Sequence, residues 1–273
     1  MSFREKLAHA AEKNRSLLCV GLDPDPARIP ANEIASYLCA IVEATSDLVC
    51  AYKPNLAFYE QLGEAGFSAL RTVLAAIPSD IPVIADAKRG DIAHTAAAYA
   101  RAIFDELGFD ASTVNPYLGR DSVEPFVRYA DKGVLIVCRS SNPGARDVQD
   151  LPVGPDATPL YQVVAGLAKQ WDTNGNVGLV AGATYPEELA ILRGLCPSMP
   201  ILVPGVGAQE GELERSVRAG LDADGAGIIV NASRAVLYAS SGRDFAEAAR
   251  RAAEELRSAI EASRLAAKRE TLV

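Results

Sequence analysis

The stretch Pro82-Val-Ile-Ala-Asp-Ala-Lys-Arg-Gly-Asp91 begins as a short apolar run and ends in charges, and the helical pattern Ile92–Leu107 follows it directly. An apolar run of that length suits a strand buried on both faces, and the spaced apolar positions after it suit a crossover helix. Working outward, the same unit recurs. Leu17–Gly21, Leu48–Tyr52, Ser112–Val114, Val134–Cys138, Val177–Val180, Ile201–Val203 and Gly227–Val230 are further apolar runs. Between and after them lie helical patterns at Glu33–Ser46, Glu60–Ala76, Ser122–Tyr129, Pro159–Trp171, Pro186–Leu195, Glu210–Ala219 and Phe245–Ala262. Ser122 reads as a residue preceding its helix and Pro186 as a first-turn proline. Ser2-Phe-Arg-Glu5 has the spacing of a capping box and predicts an extra helix at the barrel's bottom.

Repeated strand–helix units in 273 residues predict an α/β fold of the (β/α)8 TIM-barrel type, which typically takes about 250 residues. A doubly wound parallel sheet alternates in the same way and is the competing architecture. No low-complexity linker divides the chain, so residues 1–273 read as a single domain. Arg139–Thr158, rich in Pro, Gly and Asp, is the longest irregular stretch and on a barrel would hang over the C-terminal face.

Composition narrows the function. Asp and Glu number 35 against 27 Lys and Arg, a net charge of −8. Such a surface disfavours nucleic acid and anionic membranes as partners. No apolar run approaches the roughly 18 to 20 residues of a membrane-spanning helix, and the N-terminus carries no apolar signal core. Five cysteines (Cys19, Cys39, Cys50, Cys138, Cys196) form no paired spacing, and three lie inside apolar runs, as buried thiols in a reducing compartment do. With His9 and His94 alone, a three-histidine zinc site is impossible. The expectation is a soluble cytoplasmic protein that handles a small molecule.

On a barrel, chemistry gathers at the C-terminal strand ends. Those ends carry Asp23, Lys53, Asp86 to Asp91, Asn115, Ser140 to Gly144, Pro204 to Gln209 and Asn231 to Arg234. Asp86 and Lys88 are two apart, so an extended strand would point both to one face, with Arg89 facing away. Asp91 follows three residues later. Carboxylates beside an ammonium favour its charged form, whereas a Schiff-base lysine needs the reverse; Lys88 therefore reads as an acid or electrostatic anchor. Gly205 and Gly207 free the backbone after the seventh strand, and Ser233 and Arg234 follow the eighth. Backbone N–H groups, a helix N-terminus and a guanidinium there suit a phosphate. Gln209 lies in a stretch suited to a lid, Ser141 is placed to hydrogen-bond a ligand, His94 reads as outward or packing, and Trp171 as core.

The run Val83-Ile-Ala-Asp-Ala-Lys-Arg-Gly-Asp-Ile92 resembles the signature of the orotidine 5'-monophosphate decarboxylase family. Gly21-Leu-Asp-Pro24, Tyr52-Lys-Pro-Asn55, Ser141-Asn-Pro-Gly144, Pro204-Gly-Val-Gly-Ala-Gln209 and Asn231-Ala-Ser-Arg234 stand in that family's order. The length, the Asn-Pro-Gly loop and the Asn-x-Ser-Arg ending resemble its longer bacterial and archaeal branch. The resemblance implies a homodimeric barrel with active sites at the dimer interface, working on orotidine 5'-monophosphate without metal or organic cofactor. It implies that Lys88 protonates C6 of the pyrimidine as carbon dioxide leaves and that Asp86 lies close to the substrate carboxylate. It implies that Asp91 reaches the other subunit's site, that Asp23 and Lys53 contact ribose, and that Thr95 is a ribose contact lent across the dimer. Ser141 is implied as the pyrimidine contact, and Gln209 and Arg234 as the phosphate grip. Glu210 departs from the pattern, since many relatives have glycine after the glutamine. Two rival readings stand beside this one: a magnesium-dependent decarboxylase or aldolase of phosphorylated keto-sugars, and a catalytically silent barrel that binds a nucleotide.

Overall fold

Eight parallel strands form one sheet that curls into a nearly closed barrel. They are β1 (Leu18–Gly21), β2 (Ala51–Lys53), β3 (Ile84–Arg89), β4 (Ala111–Val114), β5 (Gly133–Arg139), β6 (Val177–Ala181), β7 (Ile201–Pro204) and β8 (Ile228–Ala232). The computed structural model describes residues 1–183, 185–205 and 210–271. Sheet order runs β2-β1-β8-β7-β6-β5-β4-β3, and the circle is drawn together by parallel bridges from Tyr52 to Val83 and from Asn55 to Asp86. The (β/α)8 architecture with an added N-terminal helix thus holds, and the doubly wound alternative does not.

Side-chain alternation divides the strands between two apolar layers. Cys19, Ala51, Ile84, Ala111, Leu135, Val180, Leu202 and Ile229, one from each strand, fill the barrel interior. Their neighbours, such as Leu18 and Val20 on β1, face the helices in the larger cluster. Both faces are covered, which is why the strands read as unbroken apolar runs. Trp171 is buried in the helix-facing layer, as expected, and His94 is exposed. The five thiols are free, and all but Cys39 are buried.

The N-terminal helix, Phe3–Lys13, opens with the predicted capping box between Ser2 and Glu5. Its role is to close the barrel's bottom. Phe3 is 2% exposed and belongs to the interior layer. A side chain at Gly133 would place its Cβ 2.3 Å from the Phe3 ring, so the glycine at the start of β5 makes room for the plug. The Phe3 N–H also donates to the carbonyl of Asp131 at 2.8 Å.

Several boundaries differ from the sequence reading, each for a local reason. The helix expected at Glu60–Ala76 is broken into Ala57–Glu60 and Gly63–Ala76, with Gly63 at φ +59°. The helix after β3 runs regularly over Ala93–Arg101 and ends in a π-helical turn, Ala102–Glu106. Ser122 does not precede its helix: the segment is Arg120–Val127, Gly119 stands at the cap, and the Ser122 hydroxyl donates to the Gly119 carbonyl at 2.7 Å. Arg139–Thr158 is not wholly irregular, because it holds a 3-10 turn at Pro143–Ala145, the helix Arg146–Gln149 and a hairpin of Pro152–Val153 with Thr158–Pro159. These elements are too short and too polar to leave a periodic apolar signal.

Replacing Phe3 by Ala is expected to destabilise the fold by about 3–5 kcal/mol, lowering the midpoint of thermal unfolding by roughly 10 °C. Calorimetry checks it; an unchanged midpoint would show that the plug carries no load.

Candidate active site

The polar ends of β1, β2, β3, β7 and β8 converge on one cavity of about 590 Å³ at the C-terminal mouth, whose lining includes Asp23, Lys53, Asp86, Gly205, Ser233 and Arg234. At its floor the Asp86 carboxylate is gripped from four sides. Lys53 Nζ donates to Oδ2 at 3.0 Å and Asn55 Nδ2 to the same oxygen at 3.3 Å. Lys88 Nζ donates to Oδ1 at 2.5 Å and the Thr113 hydroxyl to the same oxygen at 3.0 Å. Burial by itself would raise the carboxyl's pKa, but the ammonium groups of Lys53 and Lys88 outweigh it and hold the value near 2. The Lys53 side chain is almost wholly buried. Burial pulls its pKa down, yet Asp23 and Asp86 together keep it above the ordinary lysine value. Asp86 and Lys53 therefore both stay ionised at neutral pH.

Lys88 reaches Asp86 by a route that the spacing did not reveal. The β3–β4 register shifts between Ala85 and Arg89, and Lys88 sits in the left-handed region at φ +46°, a conformation that costs about 1–2 kcal/mol for a residue with a side chain. The two side chains meet because the strand bulges, not because it is extended. Arg89 faces away as expected, pairing with Glu60 and lying 5.1 Å from the Tyr99 ring centroid. Asp91 does not join the cluster within one chain. Its carboxylate accepts from the Ile92 N–H at 2.8 Å, and the ion pair of Lys88 among the described residues is with Asp86. Asp86 meets both lysines instead, and Asp23 acts on Lys53.

Asp23 is fixed by the Asn55 N–H on Oδ1 at 2.9 Å and by the Ser233 hydroxyl on Oδ2 at 2.6 Å. Asn55 thus links Asp23, through its backbone, to Asp86, through its side chain. The Ser233 contact requires glycine at position 21, where a Cβ would fall 1.8 Å from the serine Oγ. Ser233, expected beside a phosphate, spends its hydroxyl proton on Asp23. Arg234 is exposed and lines the cavity with no carboxylate in ion-pair reach among the described residues.

Ser141 is exposed and lies against the ends of β6 and β7: its Oγ is 3.7 Å from where a Cβ on Gly205 would stand. The loop bearing it is anchored by Arg139, 1% exposed, which pairs with Glu188 at 2.5 Å and Asp150 at 3.1 Å. Gln149 Oε1 accepts from the Ser140 N–H at 2.9 Å in the same loop. Asp91 and Thr95 lie beyond the cavity lining, with Thr95 exposed on the helix that follows β3. Gln209 and Gly207 lie outside the described residues. Sequence reasoning passed over Thr113, Arg28 and Tyr238. The last two line the cavity, with the Arg28 guanidinium 4.7 Å from the tyrosine ring centroid. Among the described residues no three His, Cys, Asp or Glu side chains cluster as a metal-ligand set.

Known proteins are similar to this chain over most of their length. A protein of Thermomicrobium roseum called orotidine 5'-phosphate decarboxylase is 56% identical over 246 residues, which are 88% of each chain. One of Herpetosiphon aurantiacus with the same name is 55% identical over 244 residues, 87% of this chain and 90% of that one. The solved structure of Leishmania donovani OMP decarboxylase superposes with a TM-score of 0.87 at 45% identity, covering 97% of this chain and 99% of the other. The family model described as orotidine 5'-phosphate decarboxylase / HUMPS matches residues 16–252. With that match over most of its length, the chain belongs to the orotidine 5'-phosphate decarboxylase / HUMPS family.

Proposed function

We propose that the barrel mouth decarboxylates orotidine 5'-monophosphate to uridine 5'-monophosphate, a step of pyrimidine nucleotide biosynthesis, with Lys88 as the proton donor. The family and its named relatives support the reaction. The observation that carries the mechanism is the Asp86 carboxylate held between the Lys53 and Lys88 ammonium groups at the cavity floor. Loss of carbon dioxide breaks the bond from C6 to the carboxylate carbon, and the electron pair stays on C6 as a carbanion that the ring delocalises poorly. An ammonium fixed beside that carbon stabilises the growing charge without reorganising. Lys88 then gives its proton to C6, and its amine regains one from water, which its half-exposed side chain meets. Asp86, ionised beside the leaving carboxylate, opposes the ground state electrostatically and orients Lys88.

In this reading the ribose is met by Asp23 and Lys53, the pyrimidine by Ser141, and the phosphate by Arg234 and Gln209, with Ser233 steadying Asp23. Closing on a remote phosphate transfers binding energy to the reacting end. The reading invokes no metal or cofactor and neither nucleic acid nor membrane as a partner; the net charge of −8 disfavours polyanionic partners, and among the described residues no helix is long and apolar enough to cross a membrane. The free thiols suit the cytoplasm. The chain acts as one barrel domain and as a homodimer, with Asp91 and Thr95 completing the partner's site. Support comes from the exposed Ile92, Tyr117 and Leu118, large apolar side chains in the segments that follow β3 and β4.

Absorbance on mixing protein with orotidine 5'-monophosphate and excess chelator tests the reaction, and conversion to uridine 5'-monophosphate is expected. Activity that chelator abolishes, or turnover of phosphorylated keto-sugars alone, would overturn it. Lys88→Ala is expected to lower kcat by at least about 10³-fold while product binding stays within about tenfold; retained turnover refutes the proton-donor role. Mixing inactive Lys88→Ala and Asp91→Ala chains should restore roughly a quarter of wild-type activity, because half the dimers then carry one intact site. No recovery on confirmed subunit exchange would refute the shared site.

The Asp86 carboxyl titrates near 2 in the fold against an ordinary 3.8. The folded value is the lower one, so its ionic contacts stabilise above about pH 4 and are lost as pH falls toward 2. The stability difference between wild type and Asp86→Asn should therefore change by about 2 kcal/mol over that window in urea titrations; a constant difference would refute the ion pairing.

A further inference from the structure

Lys53 and Lys88 both contact Asp86, but they are held in different ways. Lys53 is fixed by packing, with its side chain 4% exposed, whereas the Lys88 side chain is 51% exposed. Packing does not fix the position of the Lys88 ammonium. It is set by the backbone from which the side chain springs and by the carboxylate that meets its tip. One residue touches both. Thr113, fully buried on β4, accepts the Lys88 backbone N–H on its hydroxyl at 2.9 Å and donates that hydroxyl's proton to Asp86 Oδ1 at 3.0 Å.

Both bonds fall where β3 is irregular. The pairing with β4 shifts register between Ala85 and Arg89, and the left-handed Lys88 stands inside that shift. A part-buried backbone N–H there still needs an acceptor, and a side-chain hydroxyl supplies it in the place of a strand carbonyl. On the other side, Asp86 Oδ1 receives both Thr113 and Lys88, so the threonine's donation determines the lone-pair direction left for the ammonium.

We propose that Thr113 is a positioning residue for the decarboxylation: its hydroxyl couples the Asp86 carboxylate to the left-handed turn that carries Lys88 and so sets where the proton donor stands. The inference rests on the reading of Lys88 as that donor. Valine has nearly the shape of threonine but neither donates nor accepts. Thr113→Val is expected to lower kcat by about 10- to 100-fold, the size expected for a hydrogen bond to a charged group. KM and the product's Kd should stay within about threefold, since Thr113 lies below the cavity rather than in its lining. Thr113→Ser, which keeps the hydroxyl, should return kcat to within about threefold of wild type. Should the valine chain fail to fold, Thr113→Ala carries the same comparison.

An unchanged kcat in the valine or alanine variant overturns the proposal. So does a loss that lies in KM, or one that serine does not rescue, because the methyl group rather than the hydroxyl would then matter. A second measurement is independent of turnover. Exchange of the Lys88 amide hydrogen, followed in the ligand-free enzyme, should quicken at least about tenfold in Thr113→Val, and an unchanged rate refutes the coupling. A wild-type enzyme inactive on orotidine 5'-monophosphate would sink the proposed reaction alone, and amide exchange would still decide whether Thr113 holds the turn.

Discussion

A carboxylate buried between two ammonium groups is the constraint on which the mouth of this barrel is built. Removing an ionised group from water is costly, and the cost is offset only where partners satisfy its lone pairs. Asp86 meets that condition with four donors drawn from β2, β3, β4 and the turn after β2. Each of those segments must therefore arrive at one point. Asn55 then carries the constraint on to Asp23 and, through Ser233, to the end of β8. With Asp23, Asp86, Lys53 and Lys88 taken together, the cluster is neutral. An array without net charge is far easier to bury than any of its members.

The strands and their order of appearance are plain in the sequence because parallel strands covered on both faces demand unbroken apolar runs. The charged strand ends are equally legible, since a barrel interior has no other use for them. What periodicity could not convey was geometry. The spacing of Asp86 and Lys88 implies a shared face of an extended strand, and their meeting comes about through a bulge and a left-handed residue instead. Asp91 sits close to Lys88 in sequence, but the strand ends between them at Arg89 and the Asp91 carboxylate accepts from the next backbone N–H, that of Ile92. Thr113 left no signal because a threonine in a strand reads as ordinary β propensity. Ser122 was misread because serine inside a helix can bond back to a preceding carbonyl as readily as it caps.

The loop after β5 shows a different limit. Its structure depends on Arg139, a buried cation set 5.6 Å from the Tyr161 ring centroid and 5.1 Å from that of Tyr185, with Glu188 and Asp150 closing the circuit. Partners that lie up to 49 residues away in the chain cannot be inferred from local composition. The same arginine ties the loop bearing Ser141 to the helix after β6, so two strand ends share one support.

The plug at the bottom of the barrel has a consequence for the order in which the molecule assembles. Phe3 and Arg4 are made well before the residues on which they dock, through the carbonyls of Asp131, Gly175 and Ser198. Contacts of such long range close late in folding. At about 5–20 residues per second, synthesis of the docking surface lags behind the plug by on the order of ten seconds or more. Through that interval the apolar ring of Phe3 has no seat, and a nascent barrel is open at its base. The plug is thus made long before its seat.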